Sequence, residues 1–469
     1  MAVVTRRMTS LLLALALLSP NLRAAEPPAE STIDLTPHVS ADDCAQVTIE
    51  LECGGTMQVR DDNKETTQVR TLPMSVSAKL VYDEHRVAPT AGSLATRSIR
   101  YYDEAAAVIK VENGGKTPKL AVDRRLIVAE AVNPQTGGGR LSFASPNGLL
   151  EREELDLIDV TGDSLAVDGL LPNRPVAADA TWPADPNTMA AILSMDSVAA
   201  AQVENVLDKF NHDFALVRLA GTVVGTADGS TTEMEVRGVY LFDTKLGRIT
   251  RFNLAVKEKR TIGGATPGLD GVAKLRMNVK PLESSPNLSP DTLAALESTN
   301  RLRLDTLRLE PKKQGFRVTH DRRWFVTSKE REATTLRCVE RGDTLAQCTI
   351  TSLPSKSAGR QTTLEEFERD IRFALKDNFG ELVSSRQWTN TFGHHCLEVV
   401  VRGTAEEVPI EWHYYLVAPE TGNRVSIAVT IQGEMVNRLA AADRALVNAV
   451  ELLQITGSTQ TAVRSGVNR

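Results

Sequence analysis

Glu233-Met234-Glu235-Val236-Arg237-Gly238-Val239-Tyr240-Leu241-Phe242 decides the fold of the larger part of this chain. Met234, Val236, Gly238, Tyr240 and Phe242 fall on one face, and Glu233, Glu235 and Arg237 on the other. A period of two marks an extended strand with one face buried and the other in water. The pattern recurs in Thr250, Phe252, Leu254 and Val256. It recurs again in Ala273, Leu275, Met277 and Val279, which alternate with Lys274, Arg276, Asn278 and Lys280. Asp228-Gly229 and Leu246-Gly247 stand between these runs as hairpin turns. Clean alternation with short turns means antiparallel sheet, wet on one side.

Toward the N-terminus, Val47, Ile49, Leu51 and Cys53 alternate with Thr48, Glu50 and Glu52 up to Gly54-Gly55, which reads as a break or bulge. Met74, Val76, Ala78, Leu80 and Tyr82 repeat the alternation, and further strands are expected at 96–102, 106–112 and 125–131. Residues 149–171 read as short strands and turns, and Thr188 as the cap of a short helix through Leu193. Residues 44–283 are therefore expected to form one antiparallel β-rich domain, a half-barrel or a sandwich.

Length and composition set the outer limits. A chain of 469 residues has room for two to four domains. With 54 Lys+Arg against 60 Asp+Glu it carries a net charge of −6, which argues against a general nucleic-acid binder. Aromatic residues at 4% argue against a broad sugar-binding or base-stacking surface, and five cysteines are too few for a disulfide scaffold. Arg6-Arg7, the apolar run 11–18, Pro20 and Leu22-Arg23-Ala24-Ala25 compose a secretory signal peptide over 1–24. The eight-residue run is far short of the ~20 residues that span a bilayer. An exported protein, periplasmic or extracellular, is expected to begin near Ala25, with a flexible leader over 25–43 and no transmembrane segment after cleavage.

Pro286, Pro290 and neighbouring Ser, Asn and Thr residues mark a linker over 284–307, within which residues 291–298 suit a short helix. Beyond it, 308–455 is mixed. Trp324-Phe325-Val326 begins a strand, and Gly342-Asp343 turns a hairpin between 334–341 and 345–353. Thr363 and Glu366 form a capping box for a helix whose stripe is Leu364, Phe367, Ile371 and Leu375, with Gly380 placed to end it. Strands are expected at 395–402, 409–418 and 424–432, then a helix over 436–454 with Val436, Leu439, Leu446, Val450 and Leu453 inward. This is α+β: an antiparallel sheet with two packed helices, followed by a disordered tail over 456–469.

The segment 315–455 resembles the PsbP fold. The resemblance rests on Gly315-Phe316, Asp321-Arg322-Arg323-Trp324, Thr363-Leu364-Glu365-Glu366-Phe367, Gly393, Pro409-Ile410-Glu411-Trp412-His413-Tyr414-Tyr415-Leu416 and the terminal helix containing Asp443. It implies a non-catalytic, protein-binding module. In the first domain, Leu171-Pro172, Val176 and Asp179-Ala180-Thr181-Trp182 resemble a turn of exported bacterial β-domains of unknown function, with Ala178 in place of the usual glycine.

His394-His395-Cys396 with His413 are the residues whose types suggest a metal or thiol site. If the strands that carry them pair around a turn near 404–407, His395 and His413 share one sheet face and Cys396 lies on the other. A closed zinc site needs four ligands, and a thiol nucleophile needs an imidazole beside it in space. Neither requirement is met, so no catalytic, metal or cofactor role is assigned to any residue, and no cofactor is expected. Cys338 and Cys348 flank the 342–343 turn and read either as a structural disulfide or as two buried thiols; Cys53 has core parity. The acidic run 151–159 lacks calcium-loop spacing and reads as solvated surface. The basic stretch 301–313 reads as a solvated face. The expectation is an exported, non-enzymatic protein that binds or assembles with an envelope protein partner. The alternatives are a carrier of a lipid or other apolar ligand and, third, a metal- or thiol-dependent enzyme.

Overall fold

In a computed structural model, the structure describes residues 32–39, 43–61, 68–88, 94–131, 140–297, 304, 306–340, 342–357, 360–420 and 422–453. The expected signal peptide 1–24 and tail 456–469 lie outside the described residues, as do 301–303 of the basic stretch. The chain is predominantly antiparallel sheet.

The first part is a 12-stranded sheet. Its order from one edge is Leu141–Ala144, Leu126–Ala131, Arg97–Val111, Gln68–Val87, Cys44–Asp61, Gly268–Pro281, Arg248–Arg260, Ser230–Asp243, Phe214–Ala227, Ser197–Phe210 and Thr181–Pro183. Gly114–Lys116 pairs beside Arg97–Val111. Three short helices, Arg152–Ile158, Ser164–Val167 and Pro186–Ile192, lie against one face. Eleven strands side by side would span about 48 Å if flat, at about 4.8 Å per neighbour. Yet Phe143 near one edge and Val203 and Leu207 near the other join a single buried cluster with Leu155, Leu165 and Met189 of the helices. The sheet therefore curves around them, and that face is concave.

Several expectations are corrected here. Gly54-Gly55 does not break its strand, which runs Cys44–Asp61 in continuous register with both neighbours. A Cβ on Gly55 would lie 2.2 Å from the Asp270 carbonyl oxygen, so glycine permits that close approach. Segment 149–171 is mainly helical, because Glu151 and Glu154 make a reciprocal capping box and Asp163 caps the next helix through the Leu165 amide. The cap of Pro186–Ile192 is Asp185, whose carboxylate accepts from the Asn187 and Thr188 amides, with Pro186 in the first turn. The 25–43 leader is not free throughout: Thr32–Asp34 pairs with Pro175–Ala177, and Leu35 is fully buried. Within the 284–307 segment the short helix expected over 291–298 is present as Pro290–Glu297, but the segment is not a free linker, because Leu288 and Leu296 pack on Ile99 and Val128.

The second part is a seven-stranded sheet in the order Trp324–Lys329, Ala333–Glu340, Asp343–Lys356, Gly422–Gln432, Val408–Ala418, His395–Ala405 and Phe379–Thr389. The helix Leu364–Leu375 opens with the Thr363/Glu366 box and buries Phe367, Ile371 and Leu375 against Leu397, Val399 and Val401. Ala442–Asn448 covers the opposite face through Leu446 and Val447. Gly380 does not end the first helix. Lys376 does, at φ 48°, and Gly380 lies in the additional strand Phe379–Thr389. The expected 436–454 helix is broken at Ala440 and Ala441, both left-handed, and it finishes as the strand Val450–Leu452 paired to Phe316–Asp321. The two parts are joined by side chains: Arg152 donates to the Arg322 carbonyl, Arg322 to that of Phe143, and Arg337 to that of Gly264.

The cysteines are free. Cys338 faces Ala346 across the ladder and Cys348 faces Leu336, so the two thiols are offset by two residue pairs and no bridge forms. Cys53 is half-buried rather than core. Among the described residues no helix is long and apolar enough to cross a membrane.

Candidate functional site

The strand register separates the histidines. Cys396 pairs with Val417 and Val400 with His413, so Cys396, His413 and Tyr415 share a face and His395 lies on the other. This reverses the expected grouping. His394 Nε2 accepts the Leu452 amide at 3.1 Å, which commits that nitrogen to a structural bond, and partial burial lowers the ring's pKa. Burial pushes the Cys396 thiol up to about 12, so it is a poor source of thiolate at neutral pH. Among the described residues, no group of three or more His, Cys, Asp or Glu side chains is arranged to hold a metal ion.

His413 instead forms a clamp. Its Nδ1 lies 2.5 Å from Asp443 Oδ2 and its Nε2 2.8 Å from Glu411 Oε1. The Tyr415 hydroxyl donates to the same Asp443 oxygen at 2.5 Å, and Arg402 Nε donates to Glu411 at 2.8 Å. Burial opposes charge on the imidazole, but Asp443 and then Glu411 outweigh it and raise the pKa. Both ring nitrogens are occupied by carboxylates, so the arrangement fastens the helix Ala442–Asn448 to the strand Val408–Ala418. It presents no nitrogen to a substrate.

The concave face of the 12-stranded sheet holds a larger buried set that the sequence did not single out. Asp43, Glu84, Asp163 and Asp168 meet Arg86, Arg100 and Arg248, all of them buried. Arg100 reaches Asp163 at 2.6 and 2.7 Å and Glu84 at 3.3 Å; Arg248 reaches Glu84 at 2.8 Å; Arg86 pairs with Asp43 and Asp168. Ser164 donates to Glu84 at 2.6 Å. Burial alone would raise the Glu84 pKa, yet Arg248 and Arg100 hold it at about 2. These bonds tie the helical insert at 163–168 to the concave face. The sequence did carry a signal: Glu84 and Arg86 continue the inward parity of Leu80 and Tyr82. The acidic run 151–159 is likewise not simply solvated, because Glu154 pairs with Arg124 at 2.8 Å and Asp159 with Arg140 at 2.7 Å.

The ion set closes one half of the concave face, and the other half stays open. Leu80, Ile49 and Leu275 are buried under the helices. Further along the same strands and on the same face, Ala78, Val76, Met74 and Leu72 lie beside Leu51, Cys53 and Met57 and beside Ala273 and Leu269, all only half-buried. The opposite face keeps Lys79, Ser77, Ser75 and Thr71 exposed. The alternation thus continues past the last residue that the helices cover. Between this row and the helix Arg152–Ile158 lies a cavity of about 170 Å³, lined by Leu51, Val76, Ala78, Ala107, Ile109 and Leu157 and rimmed by Lys116, Glu153 and Asp156.

No family model and no curated protein sequence matches the chain. Among solved structures, the chain is similar to cyanobacterial PsbP (CyanoP) from Synechocystis sp. PCC 6803 at 10% identity, over 32% of this chain and 92% of that one, with a TM-score of 0.24. The translocator domain of the autotransporter NalP from Neisseria meningitidis aligns at 7% identity over 84% of this chain and 89% of that one, with a TM-score of 0.11. Neither likeness bears on the fold or the function of this chain.

Proposed function

We propose that the protein is an exported, non-enzymatic binding protein of the cell envelope, and that it carries an apolar ligand on the concave face of a half-barrel formed by the large sheet. The observation that carries this reading is the half-buried row Ala78, Val76, Met74 and Leu72 with its neighbours Cys53, Met57 and Leu269. A contiguous apolar surface left open beside a well-formed core marks a binding site, and apolar pockets are the usual form of small-ligand sites. The non-enzymatic part is supported by the consumption of His413 in a clamp and by the high pKa of Cys396. The experiment is titration of the mature protein with N-phenyl-1-naphthylamine, whose fluorescence rises in apolar surroundings. Saturable uptake that falls when Met74 is replaced by Glu supports the reading; no uptake by the wild type contradicts it.

A second reading, docking of an envelope protein, is favoured by the edge of the second sheet. Phe379–Thr389 is the last strand there, Leu382 and Val383 are each 39% exposed, and Phe373 on the adjoining helix is 79% exposed. An exposed edge with apolar side chains is a template for strand addition. Cross-linking from a residue introduced at 383 tests it.

A further inference from the structure

We infer that the carried ligand is a fatty acid, with the end of its hydrocarbon chain in the cavity beneath the helix Arg152–Ile158 and its carboxylate at Arg70. This rests on the carrier reading above.

The cavity fixes the apolar end. Its volume is about 170 Å³ and its body is aliphatic: Leu51, Val76, Ala78, Ala107 and Ile109 from the sheet and Leu157 from the helix. A cavity of about 150 Å³ with aliphatic and aromatic walls stays dry and accepts a molecule the size of benzene. The space therefore suits the last several carbons of one chain and is too small for two. Lys116, 3.9 Å from Glu153, lies across its outer side.

The row that begins in the cavity sets the length. From Ala78 through Val76 and Met74 to Leu72 the strand advances six residues, or about 20 Å at about 3.4 Å per residue. One leaflet of a bilayer with a ~30 Å core holds chains of about 15 Å, so the row is long enough to hold a membrane acyl chain. Gly55 and Gly271 face each other beside Met74 and add no side chain to the trough, while Met74 and Met57 supply adaptable thioether walls.

The charge at the far end selects the head. Two residues past Leu72 on the same face is Arg70, opposite Val59. Its side chain is 55% exposed, and its partner Glu112 is 3.7 Å away and itself 47% exposed. A guanidinium at the open end of an apolar trough, held among the described residues by a long exposed ion pair, is suited to receive a carboxylate in two parallel bonds.

The test uses delipidated full-length mature protein and palmitate in isothermal titration calorimetry, with dipalmitoyl phosphatidylcholine vesicles as a parallel arm. The expected result is one palmitate per chain. Ala78→Phe, which fills the cavity, and Met74→Glu, which charges the half-exposed row without touching the core, should each weaken binding by about tenfold or more. Arg70→Glu should weaken it several-fold, with the difference shrinking as salt rises. If N-phenyl-1-naphthylamine is taken up but palmitate binding is absent, or is unchanged in these three variants, the fatty-acid assignment is overturned and the carrier reading stands. Preferential extraction of the phospholipid also overturns it. If neither probe binds, both fall.

Discussion

Replacing Arg100 with Met tests whether the buried ion set is what closes the covered half of the concave face. The Arg100 side chain is 0% exposed; it donates to Asp163 at 2.6 and 2.7 Å and to Ser98 at 2.7 Å, and lies 3.3 Å from Glu84. Methionine fills most of the volume but leaves Asp163 without its bidentate partner and Glu84 with Arg248 and the Ser164 hydroxyl. Breaking one side of a buried ion pair costs about 3–5 kcal/mol, because the remaining charge stays desolvated. At about 2–4 °C per kcal/mol for a domain of this size, the midpoint should fall by about 6–20 °C at pH 7. The pH dependence carries the sharper test. In the wild type Glu84 is held at about 2, below the ordinary value of about 4.3. Its contribution is therefore full above the unfolded pKa and is lost as pH falls through the folded one. In the variant the uncompensated carboxylates take up protons at higher pH and escape much of their penalty. Differential scanning calorimetry should show a smaller gap between variant and wild type at pH 3.5 than at pH 7. A gap under about 3 °C at pH 7, or one equal at both pH values, would refute the reasoning.

The His413 clamp makes the opposite prediction. Its pKa is raised in the folded state, so its stabilisation is full below the unfolded value and lost as pH rises through the folded one, and His413→Asn should cost more at pH 5.5 than at pH 9 by urea unfolding. Burial raises the thiols of Cys338 and Cys396 to about 12 and that of Cys348 further, so Ellman's reagent should modify these three only on unfolding. Gly229 sits at φ 73° with Val339 Cγ1 2.4 Å from the position of an added Cβ, so Gly229→Ala should lower the melting temperature through both strain and a clash with Val339.

The strands were readable because one face had to be dry. Met234 through Phe242, and Ala273 through Val279, alternate in the structure as they do in the sequence. The helical insert was not readable. Arg152–Ile158 spans only seven residues, too few for a 3.6-residue period to stand out, and its start is marked by Glu151, an uncommon capping residue. The break at Ala440 and Ala441 was hidden for another reason. Two alanines favour helix locally, so nothing in the sequence marks the left-handed turn between Val436–Leu439 and Ala442–Asn448. The histidine grouping failed on strand parity: one residue of register decides which face a side chain takes, and pairing Val400 with His413 brought Cys396, not His395, to its side. The open half of the concave face was legible in part. Met74, Val76 and Ala78 were assigned to one apolar face, but nothing local in the sequence shows that the helices stop short of covering it.

Native mass spectrometry of the mature protein, released gently from cells and sprayed without organic solvent, tests the central claim most directly. The carrier reading predicts a population heavier than the polypeptide by the mass of one fatty acid, lost on delipidation, regained on adding palmitate, and absent from the Ala78→Phe variant. A wild-type protein that shows only its polypeptide mass in every preparation, and takes up neither palmitate nor N-phenyl-1-naphthylamine, would contradict it.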